Sequence, residues 1–265
     1  MSTALRLALL VVVVGCAYLF LAHPYWFPAG ASTVSGSIDH QFRIAFWLFG
    51  ALFIVGHFVL IYVLSKKPHA DGNKVSRGSW RLEVTWTLAI TVIFFWFNIS
   101  GEHLWSSMMP AKQAGDIEIE VTGAQFQWYF RYSGADGVFG KTDAQKFARA
   151  AEGNPLGIDP GDPAGRDDIL STSMVVPVGH TVQLHLRAQD VIHSLFIPAM
   201  RFKQDTVPGM DIHSQFTATQ IGNYEIACAE LCGLGHYRMR AMVRVVSEDE
   251  FEKWMKAQET AAAGH

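Results

Sequence analysis

The sequence predicts N-terminal transmembrane α-helices followed by an all-β sandwich domain, and three observations carry that reading. Charged residues are only 17% of the 265-residue chain and apolar residues 50%, whereas ordinary soluble domains carry about 25% charged residues. Long apolar runs occupy the first 106 residues. From Asp116 onward the chain breaks into short segments of alternating apolar and polar residues, the period of strands with one buried face. The length leaves room for one head of about 100–150 residues beside the membrane segments. With 21 Lys+Arg against 24 Asp+Glu the net charge is −3, which excludes nucleic acid as a partner, since that needs a strongly basic surface. Three cysteines exclude a disulfide scaffold, and there is no Cys-x-x-Cys-His run to attach haem.

Residues 1–22 read as a signal peptide or an extra membrane helix: the apolar run Leu7 to Leu21 follows Arg6 and ends at Ala22-His23-Pro24. Val13-Val14-Gly15-Cys16 has the form of a lipoprotein processing box. The hydrophobic AYLFL continues past Cys16, however, so an uncleaved helix is the default. Residues 40–106 read as a two-helix transmembrane hairpin. Ile44 to Leu64 has the length and apolarity a bilayer requires. Val84 to Ile99 is the second span, followed by Glu102, His103, Leu104 and Trp105 at a polar and aromatic interface. Between the spans lie Lys66, Lys67, Lys74, Arg77 and Arg81 against Asp71 alone, which puts this connection in the cytoplasm and both ends of the hairpin outside. His57, inside the first span, is expected to hydrogen-bond to a neighbouring subunit and is given no function.

Residues 116–247 form the expected β head. Its strand candidates are Ile117 to Val121, Phe126 to Tyr132, Ser173 to Val178, Thr181 to Leu186, Tyr224 to Ala227 and Ala241 to Val246. Residues 134–168, rich in Gly, Pro, Asp and Ala, read as an exposed insertion with a short helix at Asp143 to Ala151. Residues 248–265 form a helix and tail, with Ser247 as N-cap.

The chemistry concentrates in Cys228-Ala229-Glu230-Leu231-Cys232-Gly233-Leu234-Gly235-His236-Tyr237-Arg238-Met239. Two thiols, an imidazole and a thioether in one loop after a strand form a soft ligand set, suited to copper and unsuited to magnesium or calcium. His193, in Asp190-Val191-Ile192-His193-Ser194, supplies a second imidazole from the end of an earlier strand pair. A mononuclear blue-copper site uses two His, one Cys and a weak Met, but the second cysteine here favours two bridged copper ions. Zinc suits Cys2His2 chemistry, yet needs no methionine beyond four strong ligands. Each residue also has a plainer reading. Cys228 and Cys232 suit a disulfide in an oxidising compartment, Met239 core packing, and His193 a hydrogen-bonded structural role. Their joint occurrence favours copper.

With its CxExCxxxHxxM loop at Cys228 to Met239, DVIHS at Asp190 to Ser194 and KQDTVPG at Lys203 to Gly209, the chain resembles subunit II of cytochrome c oxidase, the haem–copper terminal oxidase. The resemblance spans both membrane helices and nearly all of the head. It implies a cupredoxin-like head carrying the dinuclear CuA centre. Cys228 and Cys232 would bridge two copper ions, His193 and Met239 completing one, and His236 and the carbonyl of Glu230 the other. The Glu230 carboxylate would reach a magnesium ion shared with the catalytic subunit, and hard oxygen ligands suit that ion.

The same resemblance implies partners: cytochrome c as electron donor, the catalytic subunit I that holds the haem and reduces oxygen to water, and subunit III. No haem is expected on this chain. Membrane lipid surrounds its helices, in a bacterial inner membrane with the head on the periplasmic side. Glu83 aligns with the carboxylate at the cytoplasmic mouth of a proton pathway; without the resemblance it reads as a helix-end Glu favoured by the N-terminal dipole. The family's aromatic electron-uptake motif is altered to Gly123-Ala124-Gln125-Phe126-Gln127-Trp128-Tyr129-Phe130. Phe126 stands where the tryptophan is usual, with Trp128 two positions on and so on the same strand face. Asp190 and Asp205 are candidates for attracting a basic cytochrome.

Two other functions share parts of this pattern. A membrane-anchored copper-delivery protein needs only an anchor and would not need Glu83 or the Trp86 segment. A quinol-oxidase subunit II shares the architecture but lacks the copper ligands, all of which are present here.

Overall fold

The structure, a computed structural model, describes residues 3–22, 27–65, 78–108, 113, 115–143, 146 and 153–263. They divide into two compact units: 1–28 with 37–107, and 29–36 with 108–265.

The first unit holds helices α1 (Thr3–Ala22), α2 (Ser35–Ser65) and α3 (Trp80–Ser107). α2 and α3 are long and apolar enough to cross a membrane. At 31 and 28 residues they extend about 46 and 42 Å, beyond the roughly 30 Å hydrocarbon core. The helix of the second span therefore continues past Ile99 through Glu102 and His103 to Ser107, beyond the length that lipid requires. Polar side chains in α2 and α3 satisfy themselves locally. The Nδ1–H of His57 donates to the Phe53 carbonyl of its own helix at 2.8 Å, and Ser100 donates to Gln41 at 2.9 Å. His57 thus has a partner within its own helix. Lys66, Lys67, Lys74 and Arg77 of the expected cytoplasmic connection, and His23-Pro24, lie outside the described residues.

The second unit is a β-sandwich. Its first sheet has the order β3-β2-β1-β5-β8, from β1 (Ile117–Ala124), β2 (Gln127–Tyr132), β3 (Ile169–Ser171), β5 (Thr181–Ala188) and β8 (Ile212–Thr217). The second has the order β4-β10-β9-β6-β7, from β4 (Met174–Pro177), β6 (His193–Ile197), β7 (Phe202–Thr206), β9 (Gly222–Cys228) and β10 (Arg240–Val246). β1 runs parallel to β5 and β4 parallel to β10; the other pairings are antiparallel. Alternation supplies the core: Ile119, Val121, Leu184 and Leu186 of the first sheet and Leu195, Ile226, Val243 and Val245 of the second are all at most 1% exposed. Residues 29–36, which run into the first residues of α2, belong to this unit. Ser32 pairs with Ala218, Ser32 Oγ donates to the Met200 carbonyl at 2.8 Å, and the Ala31 N–H donates to Ala199 at 2.8 Å.

The C-terminal helix α4 (Glu248–Ala263) starts in a capping box, Ser247 and Glu250 exchanging hydrogen bonds at 3.3 Å. Its Trp254 packs edge-on against the buried Tyr132, ring centroids 5.0 Å apart.

Residues 134–168 are less exposed than their composition suggests. Pro155, Leu156 and Gly157 are buried, and Thr142 bridges Ile158. The segment leaves and rejoins the head at one place, the Asp136 N–H donating to the Asp167 carboxylate at 3.0 Å. Most of the expected helix at Asp143 to Ala151 lies outside the described residues. Near its two ends, charge ties the segment to the head. Arg131, 1% exposed, points outward from β2 and holds Glu120 at 2.9 Å and Asp168 at 3.2 Å, while Gly140 of the insertion accepts from it at 2.9 Å. The insertion covers and completes this buried pair.

Arg131→Leu should leave the buried Asp168 without its cation and Glu120 with Arg187 alone, and destabilise the head by about 3–5 kcal/mol, read from chemical unfolding. Burial pushes the Asp168 carboxyl up to about 6, against the opposing pull of Arg131. A carboxyl raised on folding binds its proton more tightly folded than unfolded. Its contribution is therefore fully present below its unfolded value near pH 4 and is lost as pH rises through 6. Asp168→Asn should flatten that part of the stability–pH curve, measured by thermal unfolding between pH 4 and 7.

Candidate metal centre

Strand β9 ends at Cys228, and the loop after it returns through a short 3-10 turn, His236–Arg238, to Met239 at the foot of β10. The loop closes on itself: the Cys228 N–H donates to the Met239 carbonyl at 3.1 Å. On the other side of β9 lies β6, with Leu195 opposite Cys228. That register puts His193, the first residue of β6, beside the first cysteine, and the Ala229 N–H donates to Ser194 at 3.0 Å to fix it.

The side chains converge. Cys228 Sγ is 3.9 Å from Cys232 Sγ and 3.9 Å from His193 Nδ1; Cys232 Sγ is 3.5 Å from His236 Nδ1 and 3.8 Å from Met239 Sδ. The Glu230 carbonyl lies 3.2 Å from Cys228 Sγ, whereas the Glu230 side chain is exposed. Both sulfurs thus lie in the middle, with one imidazole at each end. His193 and Met239 are fully buried, Cys228 and Cys232 nearly so, and His236 half-buried. The sulfur separation is far too long for a disulfide bond, which needs about 2.05 Å.

Burial and the neighbouring Cys228 push the Cys232 thiol up to about 11. Without a cation beside it that thiol keeps its proton, and a soft metal ion is what would make it a thiolate. The far nitrogen of His193 is also held. Asp190 Oδ1 lies 2.8 Å from His193 Nε2, so with Nε2–H as donor the Nδ1 lone pair faces the sulfurs, the arrangement that orients metal-binding histidines. Burial alone would raise the Asp190 carboxyl, but hydrogen bonds from the Gln125 N–H, His193 and the Val191 N–H outweigh it and hold the group below its usual range. The donor set fits copper: soft sulfur and imidazole ligands, enclosed and already oriented.

Phe126 and Trp128 do not share a strand face. Phe126 sits in the turn between β1 and β2, where strand alternation no longer applies, and half-buried it packs on the ligand loop. A Cβ on Gly235 would lie 2.4 Å from its ring, so only glycine fits there. Trp128 is fully buried and meets His193 edge-on, centroids 5.9 Å apart. Asp190 is engaged inward, and Asp205 pairs with Lys203 at 3.1 Å on the surface. Glu83 lies in the first turn of α3, in the other unit.

Three supports escaped sequence reasoning. Gln125 Nε2 donates to the Cys232 carbonyl at 2.5 Å. Gly123 admits the His193 ring, since a Cβ there would lie 2.8 Å from it. Asp190 is the third, and its spacing of three residues before His193 was the one legible signal.

Fold and cluster together define a cupredoxin-like domain that follows two helices able to cross a membrane, with a cluster of soft ligands at one end of its sandwich. Residues 117–246 match the family model described as cytochrome c oxidase subunit II, periplasmic domain. The alternative cytochrome c oxidase subunit 2 of Bradyrhizobium diazoefficiens is 32% identical over 263 residues, covering 98% of this chain and 93% of that one. Cytochrome c oxidase subunit 2 of Alkalihalophilus pseudofirmus is 31% identical over 205 residues, 75% of this chain but 51% of the relative, so the chain spans about half that relative's length. The crystal structure of the periplasmic domain of subunit II of cytochrome oxidase (CoxB) from Bradyrhizobium japonicum is 30% identical, covering 58% of this chain and 99% of that one, with a TM-score of 0.42. The chain belongs to the cytochrome c oxidase subunit II family, a component of a haem–copper terminal oxidase complex.

Gly123→Ala should push His193 and Trp128 out of register. The expected result is a loss of about 1–3 kcal/mol in stability together with weaker copper retention against a competing chelator.

Proposed function

We propose that this chain accepts electrons from a cytochrome c through a dinuclear copper centre and passes them to haem in the catalytic subunit. There oxygen is reduced to water and protons are moved across the membrane. The observation that carries this reading is the pair of buried sulfurs 3.9 Å apart, flanked at opposite ends by His193 and His236. When bound, two copper ions sharing the sulfurs would supply one-electron redox chemistry. Cys228 and Cys232 would bridge them, His193 and Met239 would serve one, and His236 with the Glu230 carbonyl the other. Every donor here is tied to the sandwich, which leaves little room for rearrangement on electron transfer and no open position for a substrate.

The other roles follow from the chain's own residues. The exposed Glu230 carboxylate would take part in a magnesium site shared with subunit I. Electron uptake is assigned to the Phe126 side of the loop, because Trp128 has no exposed surface; Trp128 would act by holding His193. Glu83 would gather protons at the start of α3. Subunits I and III and membrane lipid would complete the surroundings, in a bacterial inner membrane with the head on the periplasmic side, and no haem on this chain.

Purified chain reconstituted with copper should hold two ions whose oxidised form shares one unpaired electron in the electron paramagnetic resonance spectrum; one cupric or zinc ion per chain would overturn the reading. Cys228→Ser or Cys232→Ser should abolish that spectrum and cytochrome c oxidation by the complex. Glu83→Gln should slow proton uptake and leave copper content unchanged, and an unaltered turnover rate would reduce Glu83 to a helix-end residue.

A further inference from the structure

We propose that His185, His213 and Asp211 form a second metal site, on the outer face of the first sheet, that takes a divalent ion of the zinc type. Val182, Leu184 and Leu186 of β5 point into the sandwich, so His185 between them points out. β8 runs antiparallel to β5 with His213 directly opposite His185. Their rings meet edge-on at 4.6 Å. Asp211, two residues before His213, returns to the same face. One donor atom from each of the three lies within 4.8 Å of the other two.

The neighbours hold these donors in a ligating arrangement. Asp211 Oδ1 is 3.8 Å from His185 Nδ1, while its other oxygen accepts from Arg187 at 2.8 Å. The opposite nitrogen of His185, Nε2, is 3.3 Å from Glu118 Oε2. With that nitrogen protonated and donating to Glu118, the Nδ1 lone pair turns toward Asp211 and His213. A carboxylate behind an imidazole is the usual support of a metal-bound histidine. Arg187 is anchored in turn by the buried Glu120 at 3.3 Å. The frame therefore spans β1, β5 and β8.

Two imidazoles and one carboxylate, with the solvent side open to a water, match the three-protein-ligand pattern of zinc. They offer too few oxygens for calcium or magnesium. No thiol is within the set, so this site is chemically distinct from the cysteine cluster. An ion here would pin the edge strand β8 to β5 and stabilise the fold by mass action.

The test titrates cobalt(II), as a coloured zinc substitute, into the full chain in detergent carrying Cys228→Ser and Cys232→Ser, so that the outcome does not depend on the copper centre. One ion per chain is expected, with visible d–d absorption and no near-ultraviolet thiolate band, displaced by zinc. His213→Ala added to that chain should weaken binding by about 10-fold or more, and His185→Ala likewise. His213→Gln, which keeps a polar group at the exposed position, should weaken it to the same degree. Absence of a stoichiometric ion, or affinity unchanged in the histidine variants while far-ultraviolet circular dichroism shows a native fold, would overturn the site.

Discussion

The pairing of β6 with β9 is the constraint on which the cluster of sulfur and imidazole side chains rests. Neither strand carries the cluster alone: β9 delivers Cys228 and launches the loop with Cys232, His236 and Met239, while β6 delivers His193. Leu195 opposite Cys228 sets the register, and a slip of one residue would turn His193 to the other face of the sheet. Everything else in the neighbourhood serves that alignment. Asp190 holds the far nitrogen of His193, Gln125 holds the Cys232 carbonyl, and the Cys228 N–H holds Met239. The cluster is rigid because each donor is fixed by a hydrogen bond or by packing that does not itself involve a metal, which is how a fold prepares a site before the ion arrives.

The opposite sheet solves a different problem. Its outward face carries Glu118, Glu120, Arg131, His185 and Arg187, an unusual density of charge on strands. Where the insertion covers Glu120 and Arg131, the charges are buried and paired; at its margin, where Phe139 meets His185, and out to β8 they stay partly exposed and crowd two histidines against two carboxylates. One sheet thus keeps its polar groups as structural glue and as a candidate ion site, while the other keeps soft ligands at its end. The two chemistries are kept apart by an apolar core.

The ligand loop was legible in the sequence because all its donors fall within twelve consecutive residues, so spacing alone reports them. The long apolar helices were legible for the same local reason. What escaped was set by tertiary context. β6 reads His-Ser-Leu-Phe-Ile, in which the polar first two residues are as buried as Leu195, so no alternation exists to announce a strand. β7 and β8, polar at most positions, and the three-residue β3 are defined by their partners more than by their composition. The spacing of two predicts one shared face for Phe126 and Trp128, but the turn between β1 and β2 interrupts the period between them. The anchoring of the insertion was likewise hidden, since Arg131 takes a second carboxylate that lies 37 residues away.

The Asp136–Asp167 contact has a consequence for how this architecture can vary. An excursion whose two ends touch is a closed handle: its length can change without moving the strands it springs from, because loop-closure entropy grows only slowly with length. Among the described residues between those ends, the exposed ones can change in composition so long as Asp168 and the Gly140 carbonyl still answer Arg131 and Pro155, Leu156 and Gly157 stay buried. The sandwich can therefore acquire or shed surface on that side while the opposite end, where the sulfurs sit, stays untouched.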